Sequence, residues 1–393
     1  MSSSHSRRLS QVFGLLLVLG LLTSACAQAT ATPSAATQPP APAEATEEPM
    51  SEMDALIAAA QAEGTVTTIA LPDDWCNYRE VIDGFKDKYG IEVNELDPSA
   101  GSGDEIEAVK ANKDNPGPQA PDVIDVGFGF GPQIVNEGIV QPYKVSTWDT
   151  IPDDVKHPDG YWYGDYYGVL ALQVNADVVE TPPQDWADLL KPEYEGQVAL
   201  AGDPRSSNQA IQSVFVTSLV NGGSLDNAAP GLEFWASLVA EGNFVPVIAE
   251  TGTFARGETP IIIQWDYLAL TDRDTLAGNP DVTVVVPPSA VWGGVYIQGI
   301  SAYAPHPNAA KLWMEWLYSD EGQLLWLKGY CHPIRYTDLA ERGVIPEDLA
   351  AALPPAELYA QAIFPTLDQL SAARELITTQ WDTVVGVDVQ SGD

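Results

Sequence analysis

Beyond Ser51 the chain alternates short apolar runs with amphipathic stretches, and no other feature limits its possible folds so sharply. Ser51 stands where a helix N-cap belongs, Asp54 falls in the following first turn, Leu56, Ile57 and Ala60 share one face, and Gly64 supplies the stop. The same reading predicts strands at 65–71, 91–96 and 123–126, separated by helices at 78–89, 106–111 and 132–137. A second series follows Gly168, with strands at 169–175, 198–201 and 260–264 and helices at 207–220 and 231–240. Strands that alternate with helices over short links require an α/β sheet covered by helices on both faces. The chain is too long for one compact core, so two domains are expected.

The first 50 residues follow a different rule. Arg7 and Arg8 precede an apolar core, 12–22, too short to span a bilayer, which reads as an export signal over residues 1–25. Ser24 and Ala25 before Cys26 resemble a bacterial lipobox, in which the cysteine is acylated after the cut and becomes the new N-terminus. Residues 27–50 hold five prolines and no aromatic residue, and such a segment cannot bury enough apolar surface to fold. Residues 26–61 therefore read as lipidated cysteine, tether and first helix. The protein is expected to be exported, and held on the outer face of the cytoplasmic membrane or in the periplasm by lipid alone. With Cys26 acylated, only Cys76 and Cys331 remain, outside the reducing cytosol, and one bridge is the natural expectation.

Loss of residues 1–25 removes two arginines and no acid, leaving 16 basic side chains against 55 acidic ones. A field of that sign excludes nucleic acid as a partner and favours cationic solutes over anionic ones. The chain lacks a G-x-S-x-G elbow, an H-E-x-x-H helix, a phosphate-binding loop and a dinucleotide glycine signature, so no enzyme class is indicated. Its few histidines have no metal partner at ligand spacing, so neither metal nor cofactor is expected.

Four stretches, WYGDYYGVLALQVN (162–175), LLKPEYEGQVALAGDPRSS (189–207), GETPIIIQWDY (257–267) and HPNAAKLWMEWLYSDEGQ (306–323), resemble the extracellular solute-binding proteins of bacterial ABC importers. The group includes ferric-ion, polyamine and maltodextrin receptors. The resemblance implies a two-lobed periplasmic-binding-protein-like fold of type II with the ligand cleft between lobes. It places lobe I at 62–170 plus 298–343 and lobe II at 171–297 plus 344–393, and implies permease subunits as partners. It also implies that the segment after the two helices near 308–328 returns to lobe I, which makes a Cys76–Cys331 bridge feasible.

Ligands in such folds sit at the carboxyl ends of strands. Trp265, Asp266 and Tyr267 end a strand and form the best-supported site: a π-face beside one charged acceptor suits an amine or a sugar. In ferric relatives this place carries adjacent tyrosines; here Trp265 and Asp266 interrupt the pair. Asp74 and Trp75 follow the first strand and either hold an amine or form a solvated turn. Ser206 and Ser207 open a helix, where they either cap it or receive a polar group with Arg205. Trp292 and Tyr296 lead into a lobe crossing, lining the cleft or packing a hinge, and Tyr330 lies on the returning segment. The favoured ligand is a polyamine or another amine, ahead of a sugar and then ferric ion; a secreted hydrolase is disfavoured.

Overall fold

The computed structural model describes residues 50–391; the export segment, Cys26 and the tether up to residue 49 lie outside the described residues. The first helix, Glu52–Glu63, begins at Ser51, whose side chain accepts the Asp54 N–H, and stops at Gly64 in the left-handed region. The strands are β1 (Thr65–Ile69), β2 (Glu92–Leu96), β3 (Val123–Gly127), β4 (Val140–Gln141), β5 (Tyr163–Asn175), β6 (Val198–Leu200), β7 (Val247–Ile248), β8 (Ile261–Trp265), β9 (Val282–Val285), β10 (Gly293–Ser301), β11 (His332–Pro333) and β12 (Gln390–Ser391).

β1 and β2 pair in parallel, β12 pairs with β7, and a long path runs β3-β10-β5-β8-β6, with β4, β9 and β11 at its sides. β5 organises this path. Its first half, up to Val169, pairs with β10, and its second half, from Leu170, pairs with β8 and β9. The change of partner falls at Gly168 and Leu170, where the Leu170 N–H donates to the Trp292 carbonyl just before β10 begins. Glycine is required there: a Cβ on Gly168 would lie 2.5 Å from the Tyr267 ring, and one on Gly294 would lie 2.0 Å from the Trp265 ring.

Helices cover the sheet because their apolar faces have no other place to go. In Pro307–Leu317, Leu312, Trp313, Met314, Trp316 and Leu317 are all buried, and the helix start is held by Glu63, which accepts the N–H groups of Asn308 (3.0 Å) and Ala309 (2.7 Å). Asp320–Lys328 follows directly. Its end approaches the loop after β1, where Cys76 and Cys331 are joined in a disulfide with Cα atoms 5.4 Å apart. Among the described residues no helix is long and apolar enough to cross a membrane.

Three elements depart from the sequence reading. β5 starts at Tyr163, not 169, because its aromatic first half is enclosed between β10 and the helices behind it. The helix expected from 106 starts at Ser102, since Asp104 turns back to accept the Gly101 N–H and stabilises an earlier turn. The long Leu367–Val384 helix, capped by Thr366, packs on the helices Asn208–Val220 and Ala229–Glu241, a role that local pattern does not announce.

Candidate functional site

A cleft of about 550 Å³ opens between the loops that follow β1, β2 and β6, the stretch after β7 and the helix Asp266–Leu276. One end is closed where the Gly103 N–H donates to the Ser206 carbonyl (3.2 Å). Trp75, Tyr166 and Tyr296 form an aromatic wall: Tyr166 and Tyr296 stack with centroids 5.6 Å apart, and Trp75 meets Tyr296 edge-on at 5.3 Å. The Trp75 Nε1–H donates to the Tyr166 hydroxyl (2.7 Å), which fixes the wall's rotamers.

The charge of this cleft is one-sided. Asp74, Asp104, Asp203 and Glu250 line its more open parts, and Glu105, Asp125 and Asp272 line it from buried positions. No lysine, arginine or histidine is among the lining residues. Asp272 spends its oxygens on Gln173 (2.8 Å) and Thr251 (2.7 Å). Asp125 is different. Its Oδ2 accepts the hydroxyls of Tyr78 (2.6 Å) and Tyr166 (2.8 Å), while its Oδ1 is buried and accepts no N–H or hydroxyl.

Burial dominates the acid–base behaviour here. It pushes the Asp125 carboxyl up to about 7 against the opposing effects of its two hydroxyl donors and of a hydrogen bond with the Asp165 carboxyl. Burial and then the Asp125 charge push Asp165 well above the carboxylate range, and the same two causes act on Glu105, whose Oε2 accepts the Asp125 N–H (2.8 Å). Gln298 Nε2 donates both to Asp165 (2.9 Å) and to the Tyr78 hydroxyl (3.0 Å), so the carboxylates share one polar network. Among the described residues, His, Cys, Asp and Glu form no group of three or more placed to hold a metal ion.

The structure brings some of the expected residues to this cleft and keeps others away. Asp74, Trp75, Ser206, Ser207 and Tyr296 line it. Trp265, Asp266 and Tyr267, expected at the cleft, are buried behind it instead. Asp266 accepts the Val169 N–H (2.9 Å) and the Tyr359 hydroxyl, so its oxygens fasten the place where β5 changes partner. Trp265 lies under Gly294, and its Nε1–H reaches the Tyr296 hydroxyl at 3.4 Å. Trp292 is buried, donating to Gln212 (2.6 Å), and is packing rather than lining. Tyr330 faces a smaller recess with Asp74 and Lys328, where its hydroxyl meets Asp274.

The Gly101 N–H goes to Asp104 (3.0 Å), and the Ser207 hydroxyl caps its helix at Ala210 (3.4 Å). Arg205 does not line the cleft but is paired with Asp203, which does (2.6 Å), and with Asp388 (2.5 Å). The reading from pattern missed Asp125, Glu105, Tyr166 and Asp272. One signal was present: an acid inside the otherwise apolar run Val123–Gly127 cannot be paid for by a surface and demands a purpose.

Residues 119–369 match the family model described as bacterial extracellular solute-binding protein. No curated protein sequence matches significantly. Solved structures that share the fold include the periplasmic binding protein AfuA of Actinobacillus pleuropneumoniae with fructose-6-phosphate bound (20% identity, TM-score 0.65, 82% of this chain and 98% of that one). They also include iron-bound HitA of Pseudomonas aeruginosa (18%, 0.63, 82% and 99%) and a putative spermidine/putrescine ABC transporter protein of Listeria monocytogenes (14%, 0.60, 81% and 99%). At such identities the likeness establishes the two-lobed α/β fold of type II periplasmic binding proteins and nothing about the ligand. The family match spans well over half of the chain, so the protein belongs to the bacterial extracellular solute-binding proteins, which capture small molecules for ABC importers and carry out no chemistry on them.

Proposed function

We propose that the solute is a cationic, amine-bearing organic molecule, and that the chain presents it to permease subunits while tethered through a lipid on Cys26. One observation carries the ligand class: the cleft is lined by seven carboxylates, of which Asp203 is paired with Arg205 and three others are buried, and by no cationic side chain. Buried carboxylates without an opposing charge are costly, and an ammonium group relieves that cost while a neutral sugar leaves it standing. The wall of Trp75, Tyr166 and Tyr296 adds negative π-faces that attract the same cation. Relatives in fold bind iron, a sugar phosphate or, by description, polyamines, so the fold does not choose among them. The charge of the cleft opposes a phosphate ester most strongly.

The partner change within β5 supports a first lobe crossing near Gly168, with the lobes extending as 62–170 plus 298–343 and 171–297 plus 344–393. Contacts from both sides of the cleft favour the closed arrangement when solute is bound, which is a shift of population between two states. Calorimetric titration of the mature protein with putrescine, spermidine, choline, maltose, fructose-6-phosphate and ferric citrate tests the ligand class. Heat from one of the three amines alone is the expected result. Heat from the sugar or the phosphate ester alone, or a violet-red phenolate–iron colour, overturns it. Cys26→Ser tests the tether: it should release the folded protein from membranes, and unchanged fractionation rejects the anchor.

A further inference from the structure

We propose that Asp125 is the subsite for one ammonium group of the solute, and that the arriving cation displaces a proton held by the buried carboxylates around it, so that capture is coupled to proton release. This rests on the amine reading above and goes beyond it by assigning the charged contact and a dependence on pH.

The geometry carries the assignment. Asp125 lines the cleft and is 6% exposed; its Oδ2 accepts two tyrosine hydroxyls, and its carboxyl stands in hydrogen-bond contact with that of Asp165. Two buried carboxyls in contact hold together only when a proton is shared between them or a cation neutralises them. The titratable groups that face it come from several elements: Tyr78 from Tyr78–Tyr89, Glu105 and Asp104 from Ser102–Asn112, Asp165 and Tyr166 from β5, Tyr267 from Asp266–Leu276, Tyr296 from β10 and Tyr318 after Pro307–Leu317. All are acids or phenols.

Three buried carboxylates in one network, with no cation among the groups that face them, cannot all ionise together. In the empty cleft the cluster therefore keeps a proton near neutral pH, in keeping with the upward push on Glu105, Asp125 and Asp165. An ammonium against Asp125 supplies the same positive charge. The proton then leaves for solvent, and total charge in the pocket is conserved: one ammonium in, one proton out, no bond made or broken in the solute. Binding should follow the ionised form, so affinity falls by up to about tenfold per unit below pH 7 and levels off above it.

The test is calorimetric titration of the mature protein with putrescine and with spermidine at pH 6, 7 and 8, each in two buffers of different ionisation heat. Their primary ammonium groups resemble that of lysine, titrating near 10, and so stay charged across this range. The expected result is proton release approaching one per solute at pH 6, shrinking towards none at pH 8. Asp125→Asn should abolish the release and weaken binding at least thirtyfold. Tyr166→Phe, which removes one hydroxyl donor from Asp125 and keeps the ring, should move the midpoint of the pH profile upward, a shift that a merely structural tyrosine would not give. An amine that binds with no buffer-dependent heat, or that binds Asp125→Asn as tightly as the native chain, overturns this inference and leaves the amine reading intact. Binding of neither amine at any pH overturns this inference, and the amine reading with it when choline gives no heat either.

Discussion

Asp125 and Asp266 are both buried carboxylates beside the sheet, both raised by burial, and they do opposite work. Asp266 lies behind the cleft and is pushed up to about 6, yet both of its oxygens are taken, one by the Val169 N–H and one by the Tyr359 hydroxyl. Asp125 lines the cleft, with Oδ2 given to two tyrosine hydroxyls and its carboxyl set against that of a second acid, Asp165. A buried acid satisfied by donors from within the chain is a fastening, and one that lines a cavity and meets a second acid is completed by a proton or by a cation from outside. Depth of burial does not separate the two; the accounting of partners does.

The first way to sharpen that contrast is to loosen the ground on which the aromatic wall stands. The Cys76–Cys331 bridge sits next to Trp75 and joins loops 255 residues apart, so Cys76→Ser with Cys331→Ser should cost about 3–5 kcal/mol in the chain-entropy model. Chemical denaturation checks this. A loss below about 1 kcal/mol would mean that packing of Gly329 against Cys76 holds these loops without the bond.

Second in size is Asp266→Ala. It strands the Val169 N–H and the Tyr359 hydroxyl in a buried place and should cost roughly 2–4 kcal/mol of stability, with amine affinity changed by less than about threefold. If titration instead shows affinity lost and stability kept, the two acids have exchanged roles and the comparison fails.

The smallest effect concerns pH in the empty protein. Asp125 has a folded pKa above its unfolded value, so the folded state holds the extra proton between about 4 and 7. Its contribution to stability is complete below the unfolded pKa and is lost as pH rises through about 7. Asp125→Asn should therefore flatten this decline by on the order of 1–2 kcal/mol and leave the mutant the more stable of the two at pH 8. Melting curves from pH 5 to 8 read it directly; parallel pH profiles for both proteins would show that Asp125 is not protonated in the empty cleft.

Much of the fold was legible because its signals are local. The helix Tyr78–Tyr89 has the bounds expected from its apolar spacing and from Gly90, which closes it in the left-handed region. Ser51 and Gly64 bracket the first helix for the same kind of reason, a capping hydroxyl and a residue without a Cβ. The site was legible only in part. Asp74, Trp75, Ser206 and Ser207, expected from the rule that ligands meet strand ends, and Tyr296, expected from its place before a lobe crossing, line the cleft, but that rule cannot say which residues of a strand end turn outward. At 265–267 it selected a group that faces the crossing of β5 instead of the cleft, because Gly168 and Gly294 leave room for those side chains to pack inward.

The sequence by itself determined the elements, their α/β order and the excess of acid, since periodicity, caps and charge are properties of neighbours along the chain. Only the tertiary structure decided which acids matter. Asp125 receives its hydroxyls from Tyr78 and Tyr166, 47 and 41 residues away, and its network closes through Gln298 on a strand that runs in from a distant part of the chain. Whether a buried oxygen is spent or free is a sum over such distant partners, and that sum exists only once the chain has brought them together.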